Sequence, residues 1–191
     1  DKDFAWVEQH RKGEVFLRNV SDDYALMALQ GPQSTTILSA LTDVDLSRMK
    51  YYRFVEGEVL GVKVTVSRTG YTGEDGFEIM IEADKAEKVA LELLERGAAS
   101  GLAPIGLAAR DTLRLEAKMA LYGNDIDATH SVLEADLGWI IKWQKGDFIG
   151  RDALLQQKEQ GISRKLVGFE MVDRGIARRD YPIFVDGKPS D

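Results

Sequence analysis

The chain contains no cysteine in its 191 residues, which excludes disulfides, thiolate metal centres and cysteine nucleophiles. It has only two histidines, His10 and His130, too few for a histidine-rich metal site. Each is read as a surface or capping residue. No apolar run reaches the roughly 18 residues of a membrane-spanning helix, and the opening stretch DKDFAWVEQH has no signal-peptide pattern. Positive charge is also in short supply. The net charge is −7, and the one basic cluster, DRGIARRD, is bounded by aspartates and is read as a solvated turn. Nucleic acid is therefore not expected as a main partner, because phosphate neutralisation needs clustered Lys and Arg. What remains is an ordinary globular balance, 44% hydrophobic and 30% charged, with chain enough for one or two domains and a real core. The expected location is the cytoplasm or an organelle matrix, which the lack of cysteine permits.

The order of patterns gives an α+β class. YALMALQGPQSTTILSAL reads as a strand ending at Gln30, a Gly31-Pro32 turn and a short helix with proline at its first position. In VLGVKVTVSRTG, Val62, Val64 and Val66 alternate with polar residues as in a half-buried strand. Phe77, Ile79 and Ile81 repeat the alternation on a return strand. ADKAEKVALELLERG is the clearest helix. Ala86, Val89, Ala90, Leu93 and Leu94 share one face, Asp84 and Glu87 form a capping-box pattern, and Gly97 is the expected stop. A further helix opens at Pro104. LEADLGWIIKW alternates, with Leu133, Ala135, Leu137, Trp139, Ile141 and Trp143 on one face. DFIGRDALLQQKEQ reads as a short helix starting near Gly150. KLVGFEMV returns to a strand pattern, and PIFVDGKPSD reads as the first half of a hairpin without its partner. The opening DKDFAW shows no nucleating element.

The stretch between the two central strands, RTGYTGED, is the candidate for chemistry. Its glycines, Gly70, Gly73 and Gly76, follow G-x-x-G-x-x-G, which matches neither the phosphate-loop nor the dinucleotide pattern. The loop leads into a strand, so no helix N-terminus is available for a phosphate, and Glu74-Asp75 would repel one. An irregular hairpin with a left-handed glycine explains the spacing equally well. Glu78 points away from the Phe77, Ile79 and Ile81 face. It either faces water or lines a cleft beside Tyr71, where a carboxylate can accept paired N–H bonds from a flat heterocycle. Arg110 and Arg114 are neighbours on one helix surface. They are either paired within the helix, to Asp111 or Glu116, or present a planar cation to a carboxylate ligand. Pattern leaves these alternatives open.

Taken in order, VSRTGYTGEDGFEI, ALQGP, GLAARDTLRLEAKMALYGNDID and LGWIIK…FIGRDAL resemble the T-protein (aminomethyltransferase) family of the glycine cleavage system, over nearly the whole chain. The resemblance implies a folate-binding core with ferredoxin-like elements over residues 1–162 and the start of a C-terminal β-barrel domain over 163–191. It implies tetrahydrofolate as co-substrate and the lipoylated H-protein as partner. The reaction converts the aminomethyl group on the lipoyl arm to 5,10-methylenetetrahydrofolate and ammonia. Carried onto this sequence, Glu78 matches a glutamate that hydrogen-bonds the pterin ring, Tyr71 and Tyr51 match pocket aromatics, and Arg110 matches an arginine of the folate site. Met119 stands where some relatives have a pocket tyrosine. On this resemblance Glu78 is a ligand, and the glycine loop lets a flat pterin lie close to backbone.

The family's catalytic aspartate lies upstream of the piece matching KDFAW, and Asp3 is not that residue. The resemblance therefore implies a central fragment, inactive alone, with no catalytic residue in this chain and no metal. A related folate-dependent demethylase would share the loop and helix motifs, though GYTGEDGFEI favours the T-protein. A non-enzymatic folate-binding iron–sulfur assembly factor typically carries a cysteine in the loop motif, and this chain has none.

Overall fold

The computed structural model describes residues 1–177 and 181–190; the last part of the DRGIARRD stretch, residues 178–180, lies outside them. The chain divides into two compact units, Asp1–Met119 and Ala120–Asp191. The first contains α1 (Lys2–His10), β1 (Tyr24–Gln30), α2 (Ser34–Ser39), β2 (Phe54–Val59), β3 (Val62–Ser67), β4 (Gly76–Glu82), α3 (Ala83–Gly97) and α4 (Leu107–Glu116). The second contains α5 (Arg151–Gln160) and a small hairpin, β5 (Ile183–Val185) and β6 (Lys188–Ser190). The class is α+β, as the sequence indicates.

In the first unit the strands form one antiparallel sheet in the order β1-β4-β3-β2. Its register pairs Leu29 with Phe77, Met27 with Ile79, Val66 with Ile79 and Val64 with Ile81. Because side chains alternate across a strand, this register gathers the apolar residues on one face. There they pack with Val89 and Leu93 of α3 and with Ile37 and Leu38 of α2. Phe77 and Ile79 are fully buried at the centre. The other face carries Tyr24, Leu26 and Met80, all exposed, with Ala28, Glu78 and Ser67 in register beside one another.

A charged clamp ties the β3–β4 loop to this core. Arg68 at the end of β3 donates from Nε to Asp75 Oδ1 (2.9 Å) and from Nη2 to Asp75 Oδ2 (2.7 Å), a bidentate geometry that resists slippage. Its Nη1 also reaches the Met49 carbonyl at 2.8 Å. Asp75 in turn accepts from the Thr35 hydroxyl, and its carbonyl accepts from the Gly31 N–H and the buried Ser34 hydroxyl. The Arg68 guanidinium lowers the Asp75 pKa against the opposing effect of burial, and the aspartate raises that of Arg68.

Several expectations are corrected. Pro32 is not the first residue of α2; it lies in a turn closed by Ser34 N–H to the Gly31 carbonyl, ahead of the Gln33 cap. Pro104 likewise precedes α4, which is capped by Gly106. Asp84 makes no capping bond, since α3 begins at Ala83 with Glu82 before it, and Asp84 pairs instead with Lys85. Gly97 is the last helical residue, and the left-handed stop is Gly101 at φ +80°. The opening residues do form a helix, α1, with Trp6 stacked on His10 at 4.2 Å and no residue buried. Strand β2 is an addition, inconspicuous in FVEGEV because two glutamates and a glycine interrupt its apolar positions.

In the second unit the alternating stretch LEADLGWIIKW is not a strand. Ser131 N–H bonds Glu134 Oε2 and Glu134 N–H bonds Ser131 Oγ, a reciprocal capping pair, and single turns follow at 138–140 and 143–145. Trp139 is 66% exposed. The KLVGFEMV stretch forms no strand among the described residues; its Leu166 N–H instead meets the Glu134 carbonyl, and Arg164 pairs with Glu134. The terminal hairpin has both its strands. Asp186 and Gly187 both adopt positive φ, 52° and 75°, the turn chemistry that Asp-Gly favours.

Two outcomes follow for stability. Phe77→Ala should lower the unfolding free energy by about 3–5 kcal/mol, measured by urea titration. Asp75 has its pKa depressed in the folded state, so its contribution is present above the unfolded carboxylate value of about 4 and is lost as pH falls through the lower folded value. Stability of the wild-type chain should therefore fall more steeply than that of Asp75→Asn on acidification through that range. Parallel curves would remove the clamp from the account.

Candidate functional site

The four site residues read from the sequence all fall in the first unit, around the β3–β4 loop. The loop is shaped from inside by a residue the sequence reading passed over. Gln30, the last residue of β1, is the cross-strand partner of Gly76. Its side-chain amide lies over that glycine and under Gly70. Nε2 donates to the Thr69 carbonyl (3.1 Å) and the Phe77 carbonyl (3.3 Å), and Oε1 accepts from the Thr72 hydroxyl (3.2 Å). A Cβ on Gly70 would stand 1.8 Å from Gln30 Oε1, and one on Gly76 2.5 Å from Gln30 Cδ. An alanine at either position would expel the amide and forfeit its hydrogen bonds inside the loop. Gly73 has a different reason. Its φ is +79°, a left-handed conformation that glycine adopts without strain, and a Cβ there would lie 2.8 Å from Ala117 Cβ. All three glycines therefore have partners within the protein, and packing of the loop accounts for the spacing without a ligand. The only sign of Gln30 in the sequence is its place as the strand's last residue before Gly31-Pro32.

Glu78 sits on β4, half-buried, on the sheet face away from the core. Thr69 Oγ1 donates to its Oε2 at 2.5 Å. Among the described residues its other oxygen, Oε1, takes no hydrogen bond. Glu78 thus lies between the two readings that the sequence left open, neither free in water nor consumed by the protein.

Tyr71 lies in the same loop and its hydroxyl donates to the Met119 carbonyl at 3.3 Å. The Arg110 guanidinium stands over its ring, 4.9 Å from the centroid, a cation–π geometry. Tyr71 and Arg110 are therefore brought together, and Met119 contributes its backbone rather than its side chain. Arg114, one turn further along α4, is 2% exposed. It pairs with Asp111 through Nε (2.8 Å) and Nη2 (2.7 Å), and its Nη1 reaches the same Met119 carbonyl. The intrahelical reading holds for Arg114, whereas Arg110 faces the loop. The buried arginine braces the carbonyl on which Tyr71 rests.

Tyr51 precedes β2, its ring edge-on to Tyr52 at 4.5 Å and 43% exposed. Partial burial, then Tyr52 and the negative charges of Asp75 and Glu78, raise its phenol pKa. The adjoining residues are laced to the loop base, with Tyr52 N–H on the Arg68 carbonyl and Arg68 N–H on the Arg53 carbonyl. Tyr51 is thus within electrostatic reach of Glu78. Together these residues offer a carboxylate acceptor, aromatic surface and a planar cation, a set suited to a flat, N–H-bearing heterocycle that carries an acid. Among the described residues no group of His, Asp and Glu is placed to hold a metal ion, and no helix is long and apolar enough to cross a membrane.

Known proteins of similar sequence and fold are aminomethyltransferases. An aminomethyltransferase of Desulfitobacterium hafniense is 52% identical over 189 residues, covering 98% of this chain and 52% of that protein. One from Listeria welshimeri is 53% identical over 190 residues, covering 98% and 51%. The chain spans about half the length of the curated relatives it matches. The crystal structure of glycine cleavage system aminomethyltransferase T from Bartonella henselae superposes with a TM-score of 0.73 at 34% identity, over 86% of this chain and 44% of that one. The GCVT N-terminal domain model matches residues 1–145, and the chain belongs to that family.

Proposed function

We propose that this chain carries the pterin-binding part of a tetrahydrofolate-dependent aminomethyltransferase of the glycine cleavage system. The whole protein takes the aminomethyl group from the lipoylated H-protein and yields 5,10-methylenetetrahydrofolate and ammonia. Residues 1–162 are part of the folate-binding core, and 163–191 begin the C-terminal β-barrel domain. The protein works in the cytoplasm, or in the mitochondrial matrix of a eukaryote. The names of the relatives support the activity. The observation that carries the reading is Glu78: half-buried on an open sheet face, oriented by Thr69, with one carboxylate oxygen taking no hydrogen bond among the described residues.

The residues fit the co-substrate. An ionised carboxylate accepts hydrogen bonds and donates none, so Glu78 suits an edge that presents adjacent N–H groups, as the aminopyrimidine part of a pterin does. Tyr71 supplies a ring against which a flat heterocycle can rest. Arg110, always cationic, offers a counter-charge to an acidic substituent from its place over the Tyr71 ring. What these residues contribute is binding and orientation, holding the nucleophilic face of the folate where the carbon on sulfur is delivered; such positioning supplies a large share of the barrier reduction in group transfer. Proton handling belongs to a group outside this set.

Calorimetric titration of this chain with 5-formyltetrahydrofolate, alongside Glu78→Gln, tests the reading. Loss of a charge-assisted hydrogen bond should weaken binding by roughly 1–3 kcal/mol. Equal affinity of the two proteins would remove Glu78 from the site, and absence of binding both here and in a chain of the relatives' full length would overturn the folate assignment.

A further inference from the structure

A glutamate on an open sheet face ordinarily samples several rotamers, and a ligand that needs one of them must select it from the rest. Glu78 does not stand alone. The Thr69 hydroxyl donates to its Oε2, and threonine is restricted at χ1 by its branched Cβ. The Thr69 backbone is held by Gln30 Nε2, and the same nitrogen bonds the carbonyl of Phe77, the residue preceding Glu78. Gln30 cannot swing away freely, because it is wedged between Gly70 and Gly76 and its Oε1 accepts from Thr72. The path thus leaves β4 at Phe77, passes through Gln30 and Thr69, and returns to β4 at Glu78. It closes a ring of hydrogen bonds around one carboxylate.

We infer that Thr69 and Gln30 are positioning residues for Glu78: Thr69 occupies Oε2 from the loop side and turns Oε1 toward the open face, and Gln30 fixes Thr69. The inference rests on the reading of Glu78 as a ligand-binding carboxylate. An ionised carboxylate accepts hydrogen bonds and donates none, so the pair selects ligands whose edge carries N–H donors and disfavours those presenting a carbonyl there. Neither Thr69 nor Gln30 need touch the ligand.

The test is a double-mutant cycle with a ligand-free readout. Thr69→Val removes the hydroxyl with little change of shape, whereas Thr69→Ser keeps it. In titrations with 5-formyltetrahydrofolate, Thr69→Val should lose affinity by about 5–20-fold, as expected for a bond to a charged group, and Thr69→Ser should lose less than about threefold by the same argument. In a Glu78→Gln background Thr69→Val should change affinity by less than about twofold, because coupled residues are not additive. A loop merely damaged by the substitution would lose the same factor in both backgrounds, and that additive result overturns the inference. Three-bond side-chain couplings of Glu78 are measured by NMR without ligand. They should report one rotamer in the wild type and in Thr69→Ser, and averaging in Thr69→Val and Gln30→Ala. Should neither the wild-type chain nor a chain of the relatives' full length bind folate, the assignment of the ligand fails and the couplings alone decide: a fixed rotamer lost in Thr69→Val upholds the positioning role, and averaged or unchanged couplings defeat it.

Discussion

The insertion of one glutamine amide between two glycines sets the shape of everything around the site. Gln30 ends β1 on the open face of the sheet, opposite Gly76. From there its side chain reaches three points of the β3–β4 loop region, the carbonyls of Thr69 and Phe77 and the hydroxyl of Thr72. A part-buried amide left without partners would be costly. The bonds it makes convert that liability into a fixed loop path, and absence of a Cβ at Gly70 and Gly76 is the condition for it. The chemistry that the loop displays depends on this packing.

Around that insertion the sheet divides its work between two faces. The core face is continuous apolar packing, with Phe77 and Ile79 fully buried, and it fixes the register of β4. Once register is fixed, Glu78 must face the other way, because a slip of one residue would exchange the faces. The Arg68–Asp75 clamp closes the loop's base against the chain after α2. Arg114 braces its far side through the Met119 carbonyl, which also receives the Tyr71 hydroxyl. Rigid packing on one face thus holds the Glu78 carboxylate on the other, while the loop and α4 bring the Tyr71 ring and the Arg110 guanidinium together. A site carried on rigid elements holds its geometry more closely than one on a free loop.

Much of this was legible in the sequence where the signal was periodic. The alternation of Val62, Val64, Val66 and of Phe77, Ile79, Ile81 gave the central strands and the outward direction of Glu78, and the spacing of Val89 and Leu93 gave the helix that covers them. Helix starts were less legible. Pro32 and Pro104 suit the first helical position, yet in both places one or two more residues pass before the helix begins. The alternating stretch 133–143 misled because its period is that of a strand, whereas the Ser131–Glu134 capping pair decides the local backbone. In the site, residue type and pattern singled out Glu78, Tyr71 and Arg110, whereas Tyr51 came only from the family resemblance. Gln30 and Thr69 were not visible, since their role depends on a cross-strand pairing between residues 46 apart, Gln30 and Gly76, and a single sequence does not display such a pairing. The glycine spacing was visible, but its cause lies in Gln30 and Ala117, not in the spacing itself.

Amide hydrogen exchange reports whether the Gln30 amide holds the loop. The account predicts slow exchange of the Gln30 side-chain NH2 in the wild type. Gln30→Ala should accelerate exchange across the loop residues 69–76, while the amides of β2 and β3 that pair with each other stay protected. Unchanged exchange in the loop, or loss of protection spread evenly over the whole sheet, would contradict it.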